Sequence, residues 1–131
     1  MKKLIICLMF LLVASVVESA DWKSYATSGD GAKHYYDTTS VTNVSKDIVR
    51  CWQKTERHKG VAQGDYKLAI SVKKSLAEIN CTKKEYRVIT VIAEGYSTNT
   101  PSPWRLIPPD SIVEDLYKTI CTGDTTDIVT Y

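Results

Sequence analysis

Apolar and polar residues alternate along several short stretches of the chain from Trp22 onward. A period of two is typical of β-strands whose two faces meet different surroundings. The clearest stretch is Ile48–Glu56, and it separates two sets of side chains: Val49, Cys51, Gln53 and Thr55 on one face, and Arg50, Trp52 and Lys54 on the other. We therefore predict a strand here, with one face against a core and the other carrying cations and an aromatic ring.

Further strands follow from the same pattern and from the turn residues between them. Ser28-Gly29-Asp30-Gly31 is a strong turn signal, and Lys83-Lys84 indicates a tight hairpin. We predict strands over 22–27, 32–37, 75–82 and 85–93, with a short edge strand over 104–107. The stretch 57–64 resembles a polar loop, and 66–74 is ambiguous between a strand and a short helix.

The last element has a helical period. Val113, Leu116, Tyr117 and Ile120 form one apolar stripe, and Glu114, Asp115, Lys118 and Thr119 fall on the other side. Ser111 and Glu114 match a capping box, and Gly123 suits a helix stop. Because the stripe must pack on the sheet, we predict an α+β fold: an antiparallel sheet with a C-terminal helix on one face.

The start of the chain indicates export. Met1-Lys2-Lys3 precedes an apolar run over Leu4–Ala14, which is shorter than the roughly 20 residues that a membrane-spanning helix needs. We predict a signal peptide over residues 1–20, cleaved after Ala20 with Ser19 as the alternative, and a single domain over 21–131 without a membrane span. Cys7 lies near the start of the apolar run, so we expect no lipid anchor. The protein would act in the periplasm, at the cell surface or outside the cell.

Charge narrows the range of partners. The whole chain carries a net charge of +2, and removal of the signal peptide leaves about +1. A general nucleic-acid binder would show a marked basic excess, so we expect no nucleic-acid partner.

Three cysteines remain after cleavage: Cys51, Cys81 and Cys121. An oxidising compartment favours one disulfide and one leftover thiol. Tying Cys121, at the end of a terminal helix, to the sheet would bring the largest gain, and both Cys51 and Cys81 remain candidates for its partner. The leftover thiol either packs in the core or joins two chains into a homodimer.

Several groups of residues stand in an order that resembles the surface-adhesin protein E-like domain family: Tyr35-Tyr36-Asp37-x-x-Ser40-Val41, Ile48-Val49-Arg50-x-Trp52, Glu78-Ile79-Asn80-Cys81, Arg87, Pro103-Trp104-x-x-Ile107-Pro108-Pro109-x-Ser111 and Cys121. The resemblance covers nearly all of residues 21–131. It implies a six-stranded antiparallel sheet whose C-terminal helix is held by a disulfide, and hence a Cys81–Cys121 bond. The family takes its name from an adhesin that binds host matrix and serum proteins.

The sequence departs from that family pattern at two points. Cys51 stands where an aliphatic residue is usual, and there is no lipid-attachment site. If Cys81 pairs with Cys121, Cys51 is the free thiol. Because it shares a strand row with Val49, we predict that it is buried and packs like a small hydrophobe.

Catalytic and metal-binding patterns are weak. Neither histidine, His34 nor His58, has a second ligand at metal-binding spacing. Cys51 with a histidine could form a nucleophile and base, but a cysteine in the apolar row of a strand is more often a packing residue. We therefore expect no catalytic residues, no metal and no cofactor.

A cationic and aromatic strip is the best candidate for a binding surface. It consists of Arg50, Trp52, Lys54, Arg57 and Lys59. It could simply be the solubilising charge of an exposed sheet face, or it could dock an acidic protein or polysaccharide. The leading hypothesis is an exported, non-enzymatic binding module. The alternatives are a periplasmic accessory or structural protein without an external ligand, and a small enzyme or enzyme inhibitor.

Overall fold

The computed structural model describes residues 19–58 and 70–123. Most of the predicted signal peptide lies outside these residues, and so does Lys59 of the predicted strip. Within the described part of the chain no helix is long and apolar enough to cross a membrane.

The described residues form one antiparallel sheet. Its strands are β1 (Trp22–Thr27), β2 (Lys33–Asp37), β3 (Thr42–Asn43), β4 (Ile48–His58), β5 (Ile70–Asn80), β6 (Glu85–Ala93), β7 (Tyr96–Thr98) and β8 (Arg105–Leu106). The main path runs β1-β2-β4-β5-β6-β7, while the two-residue strands β3 and β8 pair with β4 and β6. A short 3₁₀ turn, Thr38–Ser40, follows β2. The predicted antiparallel sheet is therefore confirmed.

The two central strands are longer than their sequence patterns indicated. β4 continues through His58, and β5 already begins at Ile70, where the pattern was ambiguous. These strands pair without a register shift from Ile48 opposite Asn80 to His58 opposite Ile70. Cross-strand pairing over this whole length outweighs the weak local preference of the polar residues at the ends.

A bulge in β1 places two consecutive residues against the core. The β1–β2 register shifts between Ser24 and Ala26, which leaves Tyr25 as the extra residue. Tyr25 and Ala26 are both buried, and the Tyr25 hydroxyl donates to Gln53 Oε1 at 3.0 Å. Strict alternation would have exposed one of the two.

The C-terminal helix, α1 (Ile112–Tyr117), continues into a π-helical turn over Lys118–Thr122 and ends at Gly123 with φ 69°. The Glu114 N–H donates to Ser111 Oγ at 3.2 Å, as the capping box predicts. The Glu114 carboxylate, however, accepts from the backbone N–H of Asp110 at 2.7 Å instead of that of Ser111. The side chains of Ser111 and Glu114 thus satisfy one free N–H of the first helical turn and the N–H of the residue before the cap.

The helix packs its apolar side on one face of the sheet. Leu116, Ile79 and Cys51 are buried to 1% exposure or less, and they meet the aromatic pair Tyr25 and Tyr36. Tyr117 and Ile120 also pack against this core, which confirms the predicted stripe for those residues.

The disulfide ties the end of the helix to the sheet. Cys81, directly after β5, bonds to Cys121, and their Cα atoms are 5.6 Å apart. The pairing that the family resemblance implied is confirmed. Cys51 is the free cysteine among the described residues, and it is buried.

The prediction that Asp115 lies on the solvent side of the helix is wrong. Asp115 is only 6% exposed, although the helical pattern assigned it to solvent. Because α1 lies against the β1 edge of the core, the flank that carries Asp115 is covered too. Burial, together with the Cys51 and Asp115 groups, raises the pKa of Tyr25 well above its ordinary value, so its hydroxyl remains a hydrogen-bond donor.

We expect Cys51→Val to change the free energy of unfolding by less than about 1.5 kcal/mol, because it swaps a small buried group for an apolar one of similar volume. Burial raises the pKa of the Cys51 thiol to about 12, which keeps it protonated at neutral pH. Thiol labelling of the native protein should therefore be slow, and a non-reducing gel should show a monomer. A reducible dimer that Cys51→Val abolishes would contradict burial.

Candidate functional site

The face of the sheet opposite α1, here called the open face, carries the first part of the predicted strip. Cys51 of β4 points into the core beneath the helix, so its neighbours Arg50 and Trp52 point the other way, and Lys54 follows them. Arg50, Trp52 and Lys54 therefore lie on one surface, which the helix does not cover.

Arg57 does not belong to that surface. Because β4 remains a strand through His58, alternation turns Arg57 to the same side as Thr55, which is the helix side. There its Nη2 atom forms an ion pair with Asp30 Oδ2 at 2.8 Å. The prediction that Arg57 continues the strip into a loop is thus wrong, and Lys59 lies outside the described residues.

Glu78 is the centre of a two-arginine cluster on the open face. It lies on β5 directly between Arg50 of β4 and Arg87 of β6. Arg50 donates to one carboxylate oxygen, with Nε 3.0 Å away, and Arg87 donates to the other from Nε and Nη2, each at 2.8 Å. We call these three residues the arginine clamp.

The clamp holds a buried charge. The Glu78 side chain is 1% exposed, whereas those of Arg50 and Arg87 are 41% and 32% exposed. Burial alone raises the pKa of Glu78, but the hydrogen bonds from the two guanidinium groups outweigh it and lower the pKa below its ordinary value. At neutral pH the clamp therefore carries two positive charges against one negative charge.

Trp104 extends the clamp from the edge of the sheet. Its ring centroid lies 4.6 Å from the Arg87 guanidinium carbon. Two residues earlier, the Ser102 N–H donates to the Val88 carbonyl of β6 at 2.8 Å. The Val88 N–H in turn donates to the Ser102 hydroxyl oxygen at 3.0 Å. The segment before β8 thus lies along β6 and turns Trp104 over Arg87.

A second cluster of cations and aromatic rings lies further along the open face. Lys54 Nζ is 4.6 Å from the ring centroid of Tyr35 and 5.1 Å from that of Trp22. Lys74 Nζ lies 5.9 Å from the centroid of the same Trp22 ring. Lys54 also pairs with Glu56 at 2.7 Å. These contacts hold the ammonium groups beside apolar rings.

Exposed aliphatic side chains adjoin this second cluster. Ile92 lies opposite Lys74, and Val72 and Ile70 precede Lys74 at alternate positions on β5. Their exposed fractions are 44%, 37% and 52%, respectively. Because alternate residues share a face, all three lie on the open face, which thus combines cations, aromatic rings and apolar area.

Spacing along the chain could not have identified the clamp, because its members come from different strands. Glu78 is 28 residues from Arg50 and 9 from Arg87. The available signal was that Glu78, Arg87 and Trp104 are among the residues that carry the family resemblance.

The family model for surface-adhesin protein E matches residues 22–122, which include every described strand and the helix. The chain belongs to the surface-adhesin protein E family. Neither the curated proteins nor the solved structures include a match to this chain. The family match and the structure together support the protein E fold that was expected from the sequence.

The described part of this protein E domain does not bring its candidate reactive groups together. The described residues include no group of three or more His, Cys, Asp or Glu side chains that could hold a metal ion. The ring nitrogens of His34 lie 3.1 Å from Thr55 Oγ1 and 3.4 Å from Ser28 Oγ, so the hydrogen-bond partners of this ring are hydroxyl groups. With a pKa of about 12, the Cys51 thiol is poorly suited to act as a nucleophile.

Proposed function

We propose that this protein is an exported, non-enzymatic binding module that docks an acidic protein on its open face. Membership in a family named for a surface adhesin supports binding as its role. The observation that carries the proposal is that the arginine clamp and the Lys54–Trp22–Tyr35 cluster share the face of the sheet that α1 does not cover.

The chemistry of these clusters favours a protein partner with exposed carboxylates. Arg and Trp are the residues most enriched at binding hot spots, and here Arg87 already lies against Trp104. Glu78 holds both arginines in place, so a partner would lose little side-chain entropy in ordering them. The adjoining Ile70, Val72 and Ile92 offer apolar area. A protein partner would bury such area in the interface, whereas a polysaccharide would leave it exposed to water.

We also propose that the protein is exported. The basic start and apolar run support a signal peptide, and a disulfide between Cys81 and Cys121 suits an oxidising compartment. The intact mass of the exported protein should correspond to a chain that begins at Asp21, or one residue earlier, without lipid. Retention of residues 1–19, or a diacylated species, would contradict this.

Two neighbouring lysines allow a matched test of the docking face. Lys74 approaches Trp22 on the open face, whereas Lys73, beside it on β5, points to the helix side. We expect Lys74→Glu to weaken binding to an acidic protein about tenfold, equivalent to about 1.4 kcal/mol, and Lys73→Glu to leave it nearly unchanged. Both variants carry the same change in net charge.

The binding can be measured by biolayer interferometry against purified host matrix and serum proteins, and then against fractions of periplasmic extract. Affinity should also fall as salt is raised, since the contacts are between exposed charges. Equal losses in the two lysine variants would show that net charge, and not the open face, is responsible. Binding partners found only in the periplasmic fractions would favour an accessory protein over an adhesin.

A further inference from the structure

A cleft lies on the helix side of the sheet, beyond the area that α1 covers. Its volume is about 350 Å³, and it is lined by His34, Thr55, Arg57, Ser71, Lys73 and Ala93. The core beneath the helix forms around Cys51 and Ile79, nearer the opposite ends of β4 and β5. The cleft is therefore distinct from both the core and the open face.

Strand register explains why a hollow forms at this place. Thr55 lies opposite both His34 and Lys73, and Arg57 lies opposite Ser71. Short side chains therefore alternate with long ones across neighbouring strands. Thr55, Ser71 and Ala93 leave space above the sheet, and the longer side chains border that space. The cleft is thus built by the regular sheet rather than by an irregular loop.

The borders of the cleft are rich in hydrogen-bond donors. Thr55 and Ser28 hold the His34 ring in place, and Asp30 holds the Arg57 guanidinium through an ion pair at 2.8 Å. Arg57 is 61% exposed, so it keeps donors free for a further acceptor. The Thr55 hydroxyl is engaged by the His34 ring, and the Ser71 hydroxyl adds a donor that can orient an oxygen-rich ligand.

The charge at the cleft is positive. Asp30 offsets Arg57, and within the described ranges no acidic group is paired with Lys73. Burial is the largest influence on His34 and lowers its pKa, so the ring is neutral at pH 7 and does not add to this charge. The ammonium group of Lys73 therefore remains as the charge available to a ligand.

We propose that this cleft binds the anionic group of a small polar molecule, a carboxylate or a phosphate, with Lys73 and Arg57 as its cationic partners and Ser71 as a hydroxyl donor. The volume lies at the small end of the usual range for ligand pockets, about 300–1,000 Å³. A single monosaccharide-sized ligand is therefore the scale expected. This site is independent of the docking of a protein on the open face.

The test uses the full mature protein and three probes of similar size: glucuronate, glucose 6-phosphate and neutral glucose. Amide chemical shifts are followed by NMR as each probe is added. The acidic probes should shift the amides of Arg57, Ser71 and Lys73 saturably, and glucose should not. Whichever acid saturates at the lower concentration identifies the carboxylate or the phosphate as the preferred group.

Lys73→Gln and Lys74→Gln provide the matched pair, now with the opposite expectation from the docking test. Lys73→Gln should weaken binding of the acidic probe about fivefold, the scale of one partly exposed ion pair, and Lys74→Gln should have little effect. Ser71→Val, which fills the floor and removes a hydroxyl while suiting a strand, should also weaken binding. Equal effects of the two lysine variants, equal shifts by glucose, or no saturable shift would overturn the proposal.

Discussion

Glu78→Gln should destabilise the protein by about 3 kcal/mol, the lower end of the range for removing one member of a buried ion pair. The variant keeps the volume of the side chain but removes the charge that both guanidinium groups share, and its amide NH₂ would face an arginine donor. The lower end applies because Arg50 and Arg87 are 41% and 32% exposed, so water can partly solvate them. Urea unfolding at pH 7 measures the loss.

Glu56→Gln is the matched control for that substitution. Glu56 also pairs with a cation, Lys54 at 2.7 Å, but its side chain is 30% exposed. A pair that water can reach contributes little, so this variant should cost less than about 1 kcal/mol. If the two glutamines destabilised the protein equally, the burial of Glu78 would not be the source of the effect.

The same carboxylate gives the protein an acid-sensitive stability. The pKa of Glu78 is lowered in the folded state from an ordinary value of 4.5. Its stabilisation is therefore fully present above that ordinary value and is lost as the pH falls through the lower folded value. We expect the unfolding free energy of the wild type to fall below about pH 4.5, and Glu78→Gln to show a shallower fall. Some slope should remain, because Asp37 also has a lowered pKa.

Replacing both Cys81 and Cys121 by Ala should cost about 4 kcal/mol, the chain-entropy value for opening a loop of 40 residues. The loss should not be spread evenly over the native structure. α1 and its π-helical continuation together span only 11 residues, 112–122, and follow a turn, so without the bond they are held mainly by Leu116, Tyr117 and Ile120 on the core. A helix this short is not stable without such packing.

Amide hydrogen exchange can separate the two parts of the molecule. In the double variant the amides of α1 should lose protection before those of β4 and β5, which pair along their whole length. Cys51→Val controls for loss of a cysteine that forms no disulfide. If α1 stayed as protected as β5, the disulfide would not be what fastens the helix to the sheet.

Local patterns were enough to define most elements and the two faces of β4. A period of two requires no knowledge of neighbouring strands, and so Arg50 and Cys51 could be assigned to opposite faces from the sequence. The same holds for the C-terminal helix, because Ser111, Glu114 and Gly123 act on backbone groups within one or two turns. Local patterns did not determine the disulfide pairing. They left both Cys51 and Cys81 as candidate partners of Cys121, and only the family resemblance favoured Cys81.

The tertiary structure alone decided which charges meet. Glu78 lies between two arginines because β4, β5 and β6 pair in one particular register, and register depends on the whole set of strand contacts. Because β4 extends through His58, Arg57 lies on the helix side of the sheet and borders the cleft there. Asp115 was buried because the helix lies close to β1, which its own period could not reveal. In each case the deciding contact joins residues far apart in the chain, where no local pattern carries information about distance.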